Sequence, residues 1–294
     1  MKLSAHRYGK SRVRVLKVLR DGDLHTIKEL SARVLLEGEF DRSFTAADNA
    51  DVVATDTMKN TLNVLAHDHL GAENEPFARR VSEHFLGRYV QISRVRVTLD
   101  ERVWTRLNHP HSFTHSDVAQ PFTRVIADAD TSSDSGAGAG AGAGRPRPGR
   151  LRQESGVRNL VILKSTGSGF EGFHRDDLTT LPETSDRILA SAVRATWRWA
   201  DDREPASYNA ANRAIVDAML VPFAERYSPS VQATLFEMAG AALDVCPEIT
   251  RVRLVMPNLH CLPIDLRQFG RTNDRTLFVP TDEPHGYIEA TVSR

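Results

Sequence analysis

Two short segments place polar residues where a helix is predicted to begin. Residues 52–56 read VVATD, ending in Thr55 and Asp56, and residues 228–232 read SPSVQ, beginning with Ser228. Ser, Thr and Asp are preferred N-cap residues, so all three could be ordinary caps. The first turn of a helix also has free backbone N–H groups and a partial positive charge, and either segment could therefore bind an anion.

Five further residues have side chains suited to a small polar ligand. Asn258 and His260 are two apart in a predicted strand, so they share a face. Lys10, just before the first predicted strand, is either a solvated lysine or, if desolvated or near other cations, a base. Phe170 is a core residue or a stacking platform. Arg187 is a salt-bridge partner or a planar clamp for two adjacent acceptors.

The histidines give a weaker signal. His109, His111 and His115 lie in the segment NHPHSFTH and could ligate a metal, but no acidic or cysteine partner stands at a recognisable spacing. Structural or hydrogen-bonded histidines are therefore expected. Cys261 adjoins His260, but neighbours in a strand point to opposite faces, so they do not form a nucleophile–base pair.

Hydrophobic periodicity predicts the elements that position these residues. Strands are predicted at 12–19, 33–40, 90–99, near 121–127, and at 157–163, 193–199, 251–256 and 286–292; helices are predicted at 57–70, 77–86, 208–225 and 231–245. The alternation slips between Ile92 and Val95, which indicates a bulge. Each half reads strand, strand, helix, helix, strand, strand. This order predicts an α+β fold of two antiparallel sheets, each with paired helices on one face.

Residues 131–150 (TSSDSGAGAGAGAGRPRPGR) differ from the rest of the chain. Alternating Gly and Ala offer little side chain to bury, which predicts a flexible connector. The predicted domains are therefore residues 1–130 and 151–294.

Composition excludes several classes of protein. The 294 residues contain 38 Lys+Arg and 38 Asp+Glu, and a zero net charge argues against a nucleic-acid binder. No apolar run is long enough to span a membrane, and the N-terminus lacks the apolar segment of a secretory signal. Two cysteines, Cys246 and Cys261, cannot form a disulfide framework, so a reducing cytoplasm is expected.

Seven segments in a fixed order resemble the urate oxidase (uricase) family and span nearly the whole chain. They are YGK at 8–10, VVATDTMKNT at 52–61, HPHSF at 109–113, LKSTGSGFEGFHRDDLTTLPETSDRIL at 163–189, SPSVQATLFEM at 228–238, PNLH at 257–260 and PHGYIEATV at 284–292. The Gly-Ala connector departs from the family and stands where the family has a variable hairpin. The chain ends in Val-Ser-Arg, without the Ser-Lys-Leu peroxisomal signal of many eukaryotic members, which again favours the cytoplasm.

The resemblance implies tandem tunnelling-fold (T-fold) domains, assembled as a homotetramer with active sites at subunit interfaces. The implied reaction oxidises urate with dioxygen and water to 5-hydroxyisourate and hydrogen peroxide, without metal or organic cofactor. It implies that Lys10, Thr55 and His260 form a proton relay and that Asn258 holds dioxygen or water above the ring. Thr55 and Asp56 are expected from a neighbouring chain.

The resemblance also assigns the residues that bind the purine. Phe170 stacks on the planar ring, and Arg187 presents a bidentate fork to neighbouring acceptors. Gln232 pairs with the opposite amide-like edge, and the backbone N–H of Val231 binds the anionic edge.

Two alternatives remain. Other tunnelling-fold enzymes, such as GTP cyclohydrolase and dihydroneopterin aldolase, act on purine- or pterin-sized substrates; the cyclohydrolase would require zinc ligands that Cys246 and Cys261 do not obviously supply. A purine-binding protein without catalysis is the second alternative.

Overall fold

The computed structural model describes residues 1–130 and 148–294. Two units can be distinguished: the first contains Met1–Ser155 and Arg198–Asn209, and the second contains Gly156–Trp197 and Ala210–Arg294. The predicted connector, residues 131–150, falls mostly outside the described residues, and residues 148–150 already belong to a strand.

The first unit is built on antiparallel strands with helices packed against them. Its elements are β1 (Tyr8–Asp21), β2 (Leu24–Gly38), α1 (Asp41–Thr45), α2 (Thr55–His69), α3 (Asn74–Arg88), β3 (Ile92–Arg102), β4 (Trp104–Arg106), β5 (Phe113–His115), β6 (Gln120–Ala129) and the first part of β7 (Pro148–Lys164). The strand order is β1-β2-β3-β6-β7. The pairs β1–β2, β2–β3 and β3–β6 are antiparallel.

One apolar face of this sheet holds the core of the unit. Val34 and Val97 are fully buried, as are Val81 and Phe85 of α3, which recur at helical spacing. α3 packs on β3 and β6, and α2 packs on β1. Burying each such side chain contributes about 1.5–3 kcal/mol, so the periodic apolar positions determine which face of each helix is turned inward.

The bulge predicted near the start of β3 is confirmed. Arg94 pairs with Glu37 and Ile92 pairs with Gly38, which leaves Ser93 as the extra residue. The alternation slips there because two residues of one strand oppose one of the other.

A small hairpin, β4–β5, was not predicted from the sequence, because three-residue strands give no periodic signal. The histidines of residues 109–115 lie in two different places. His115 packs beside Trp104 at 5.2 Å between ring centroids, whereas His111 contacts His109 and His25. Among residues 1–130 and 148–294, no group of three or more His, Cys, Asp or Glu side chains is arranged to hold a metal ion.

The second unit has the same kinds of element. They are the remainder of β7, β8 (Leu189–Trp199), α4 (Tyr208–Glu225), α5 (Val231–Val245), β9 (Ile249–Pro263), a short 3-10 helix (Arg267–Phe269) and β10 (Phe278–Ser293), with a few residues of β8 and α4 belonging to the first unit. The strand order is β7-β8-β9-β10, β9 and β10 are antiparallel, and α5 packs on both.

The predicted α+β class is confirmed, and each predicted strand and helix lies within or overlaps an observed one. Strands are longer than predicted, since pairing continues past the alternating apolar residues. In the part of the chain that is described, no helix has the combined length and hydrophobicity needed to cross a bilayer.

Candidate functional site

Lys10 stands at an irregularity near the start of β1. The register with β2 shifts between Lys10 and Val13, and Arg12 adopts a positive φ of 58°. A bulge of this kind turns side chains away from the regular alternation. The preceding Gly9 is required by packing, because a Cβ there would collide with the carbonyl oxygen of Val34. The backbone on both sides of Lys10 is therefore fixed in a non-standard path.

Helix α2 begins at Thr55, and its N-cap is Ala54, without a side-chain capping bond. The expectation that Thr55 or Asp56 caps this helix is wrong. Both residues lie inside its first turn, because Ala54, with a non-helical ψ (φ −56°, ψ 136°), is the residue that precedes the helix. In residues 1–130 and 148–294, no side-chain cap therefore satisfies the first N–H groups of α2, which suits an end that meets an anion.

The Asp56 carboxylate interacts with the cationic side chains of Lys59 and Lys10. It accepts hydrogen bonds from Lys59 Nζ at 2.6 Å and Asn60 Nδ2 at 3.0 Å. The bond from Lys59 lowers the pKa of Asp56, and the charge of Lys10 adds to this lowering. The structure therefore brings Lys10 within electrostatic range of the first turn of α2.

In the second unit, three separate segments converge at a pair of buried serines. Ser168 and Ser228 form an isolated parallel bridge, in which Gly169 N donates to Ser228 O at 2.8 Å and Ser228 N donates to Gly167 O at 2.9 Å. Arg187 N donates to Ser168 O at 2.7 Å. The glycine-rich segment, the segment before β8 and the entry to α5 are thereby held together.

Phe170 and Arg187 are neighbours at this convergence. The guanidinium carbon of Arg187 lies 5.5 Å from the centroid of the Phe170 ring, and Phe173 stacks on that ring at 4.9 Å with an interplanar angle of 10°. Arg187 is half-buried, and burial lowers its pKa. Its Nε is buried without a hydrogen-bond partner in the described residues. A partly desolvated guanidinium with an unused donor favours a planar ligand with acceptor atoms.

Helix α5 begins at Val231, and Ser230 is its N-cap. The Ser230 hydroxyl accepts from Ala233 N at 3.1 Å. The expectation that Ser228 caps this helix is wrong, because Ser228 is engaged in the bridge with Ser168. The capping bond uses the third N–H of the helix, so those of Val231 and Gln232 are not used by it.

Asn258 and His260 lie on β9, on the face that carries buried Leu254 and Met256 nearer its start. Both are partly exposed, because the buried part of this face ends at Met256. Asn258 pairs with Gly286 of β10 and His260 pairs with Thr281. Four residues of β10 stand opposite one of β9 between these pairs, so the partner strand bulges beside them.

A sequence model of the uricase family matches residues 6–126 and 153–289 of this chain. The chain belongs to the uricase family. The uricase of Arthrobacter globiformis is 36% identical over 293 residues, which cover 99% of this chain and 90% of that protein. The uricase of Oryctolagus cuniculus is 34% identical over 98% of this chain and 93% of its own length. The crystal structure of Arthrobacter globiformis uricase has a TM-score of 0.88, with 34% identity, and covers 100% of this chain and 95% of its own.

Two tyrosines of this uricase-family chain were missed by sequence reasoning. Tyr227 donates from its hydroxyl to Ser185 O at 2.8 Å, beside the segment that carries Arg187. The Tyr8 hydroxyl makes hydrogen bonds to the backbone N–H and carbonyl of Val53, two residues before Thr55. Gly169 approaches Tyr227 so closely that a Cβ there would collide with the tyrosine hydroxyl, a contact that only the fold reveals.

The residues predicted for this uricase-family site fall into two groups, one in each unit. Lys10, Thr55 and Asp56 belong to the first unit. The second unit contains the larger group: Phe170, Arg187, Val231, Gln232, Asn258 and His260.

Proposed function

We propose that this chain is a urate oxidase, which oxidises urate with dioxygen and water to 5-hydroxyisourate and hydrogen peroxide. The observation that carries this proposal is the half-buried Arg187 guanidinium, whose Nε has no hydrogen-bond partner among the described residues, beside the Phe170 ring. Membership of the uricase family supports the same substrate.

In this proposal the second unit binds the purine. Phe170 stacks on the ring, while Arg187 donates a fork of N–H groups to adjacent carbonyl and ring-nitrogen acceptors. The Val231 N–H meets the anionic edge at the start of α5, where the helix dipole favours negative charge. Gln232 is exposed at the same helix end, free to pair with the opposite amide-like edge.

Proton transfer is assigned to Lys10, Thr55 and His260. In this relay Lys10 draws a proton from urate through the Thr55 hydroxyl, leaving an electron-rich dianion. Direct reaction of a singlet organic molecule with triplet dioxygen is spin-forbidden, but a dianion can first transfer one electron. Asn258 holds dioxygen or the attacking water above the ring. The protein supplies only positioned dipoles and bases, so we propose that neither metal nor organic cofactor takes part.

We further propose a homotetramer with active sites at subunit interfaces, in which Thr55 and Asp56 reach the site from a neighbouring chain. The free N–H groups at the start of α2 support this role, because nothing in the described residues caps them with a side chain. A cytoplasmic location remains part of this proposal.

The first test measures oxygen uptake and peroxide formation on adding urate, with and without a strong chelator. We expect peroxide equimolar with urate consumed, unchanged by the chelator.

Lys10→Met should nearly abolish turnover, whereas Lys17→Met, on the same strand but at the far end of α2, should not. Tight urate binding without turnover would favour a purine-binding protein. Loss of activity in chelator would overturn the cofactor-free mechanism.

A further inference from the structure

The Tyr8 hydroxyl makes two bonds to a single residue of the turn before α2. It accepts from the N–H of Val53 at 2.8 Å and donates to the Val53 carbonyl at 3.2 Å. Its ring packs edge-on against the buried Phe40, with centroids 4.9 Å apart. Burial raises the pKa of Tyr8, so the phenol keeps the proton it donates.

These bonds join two short segments that each lead to a predicted relay residue. Tyr8 is two residues before Lys10, and Val53 is two residues before Thr55. Gly9 is pressed against the backbone of β2, so the path from Tyr8 to Lys10 has little freedom. The N-cap residue Ala54 makes no side-chain capping bond, so it does not anchor the segment that leads to Thr55.

The opposite end of α2 is tied to the same strand by a different contact. Lys17 Nζ donates to the carbonyls of Ala66 at 3.0 Å and His67 at 2.7 Å. β1 therefore fastens α2 at both ends, with Tyr8 at the end that carries Thr55 and Lys17 at the remote end. This arrangement provides an internal control, since both contacts stabilise the same helix.

We propose that Tyr8 is a positioning residue for urate oxidation, which fixes Thr55 relative to Lys10 through its two hydrogen bonds to Val53. The inference rests on the proposed function, because it assumes that Lys10 and Thr55 share a proton relay. Tyr8 itself touches neither substrate nor oxygen in this role. It acts on the rate of proton transfer, which depends steeply on the separation and alignment of the two groups.

The variant Tyr8→Phe keeps the ring against Phe40 and removes only the hydroxyl. We expect kcat to fall about tenfold or more, since small misplacement of acid–base groups costs that much. KM for urate should change less than about twofold, because the purine-binding residues lie in the second unit. The pH dependence of kcat should also shift. In a Lys10→Met background, Tyr8→Phe should have little further effect, as expected of residues that act as one unit.

Two controls separate positioning from general destabilisation. Tyr89→Phe removes the hydroxyl of another half-buried tyrosine packed against the same core and leaves the two hydrogen bonds between Tyr8 and Val53 in place. Lys17→Met loosens the far end of α2. Both should keep kcat within about twofold of the unaltered chain, whatever their effect on melting temperature.

Hydrogen exchange gives a readout that does not depend on activity. In Tyr8→Phe, the amides of residues 53–58 should exchange faster than in either control. If the unaltered chain oxidises urate and Tyr8→Phe keeps its kcat and pH profile, the positioning role is wrong although the proposed function stands. Unchanged exchange at 53–58 would also overturn the inference. An unaltered chain with no urate turnover would instead refute the proposed function itself.

Discussion

The surroundings of Arg187 constrain the chemistry of its side chain. It is half-buried beside Phe170, its Nε has no partner in the part of the chain that is described, and burial lowers its pKa. A lysine there would keep the charge but lose the planar fork and the unused donor. We expect Arg187→Lys to lower kcat/KM for urate by about a hundredfold, mostly through KM, in steady-state oxygen-uptake kinetics.

The matched control at this scale is Arg213→Lys, at an exposed position of α4. It should leave both constants unchanged. If Arg187→Lys binds urate as well as the unaltered chain, Arg187 is not the clamp for the purine. A fall in kcat at constant KM would instead place its contact in the transition state.

At the scale of elements, the close approach of the glycine-rich segment to Tyr227 disfavours any side chain at Gly169. A Cβ there would collide with the tyrosine hydroxyl and lie within 2.9 Å of Thr184 O. Among the described residues, a Cβ at Gly240, inside α5, would meet no atom within 4 Å other than those of its chain neighbours and the backbone of its own helix. Gly169→Ala should cost about 1–3 kcal/mol of unfolding free energy and weaken urate binding. Gly240→Ala should stabilise by about 0.5–1 kcal/mol, because alanine is the better helix former.

Denaturant unfolding of both glycine variants tests this contrast. Equal effects of the two substitutions would show that the bridge between the glycine-rich segment and the entry of α5 carries no special packing constraint.

Local periodicity predicts the existence of α2, α3, α4 and α5, since each repeats apolar residues at helical spacing. It cannot predict where an element begins when a contact with a residue distant in sequence determines its first residue. Ser228 reads as a cap, but its backbone is taken by Ser168, sixty residues earlier in the chain. The same holds for Tyr8, whose partner Val53 lies 45 residues away. The candidate site residues came from whole segments in family order, because isolated side chains such as Lys10 are indistinguishable from solvated ones by type and spacing.

At the scale of the whole molecule, the predicted residues are divided between two units, with Lys10 in one and Arg187 in the other. If each active site combines the first unit of one chain with the second unit of its neighbour, two inactive variants can complement each other. A Lys10→Met chain paired with an Arg187→Gln chain forms one doubly defective site and one intact site. Random pairing makes half of the pairs mixed, so co-assembled chains should regain about a quarter of the unaltered activity.

The measurement is urate turnover of co-expressed Lys10→Met and Arg187→Gln chains, beside each variant alone and beside a mixture assembled separately. Only co-assembly should restore turnover, because separately assembled oligomers contain no mixed sites. Size-exclusion chromatography with light scattering must give the same tetramer mass for all samples. If co-assembled chains of that mass stay as inactive as their parents, each chain supplies its whole site itself, and the proposed contribution of Thr55 and Asp56 from a neighbour is wrong.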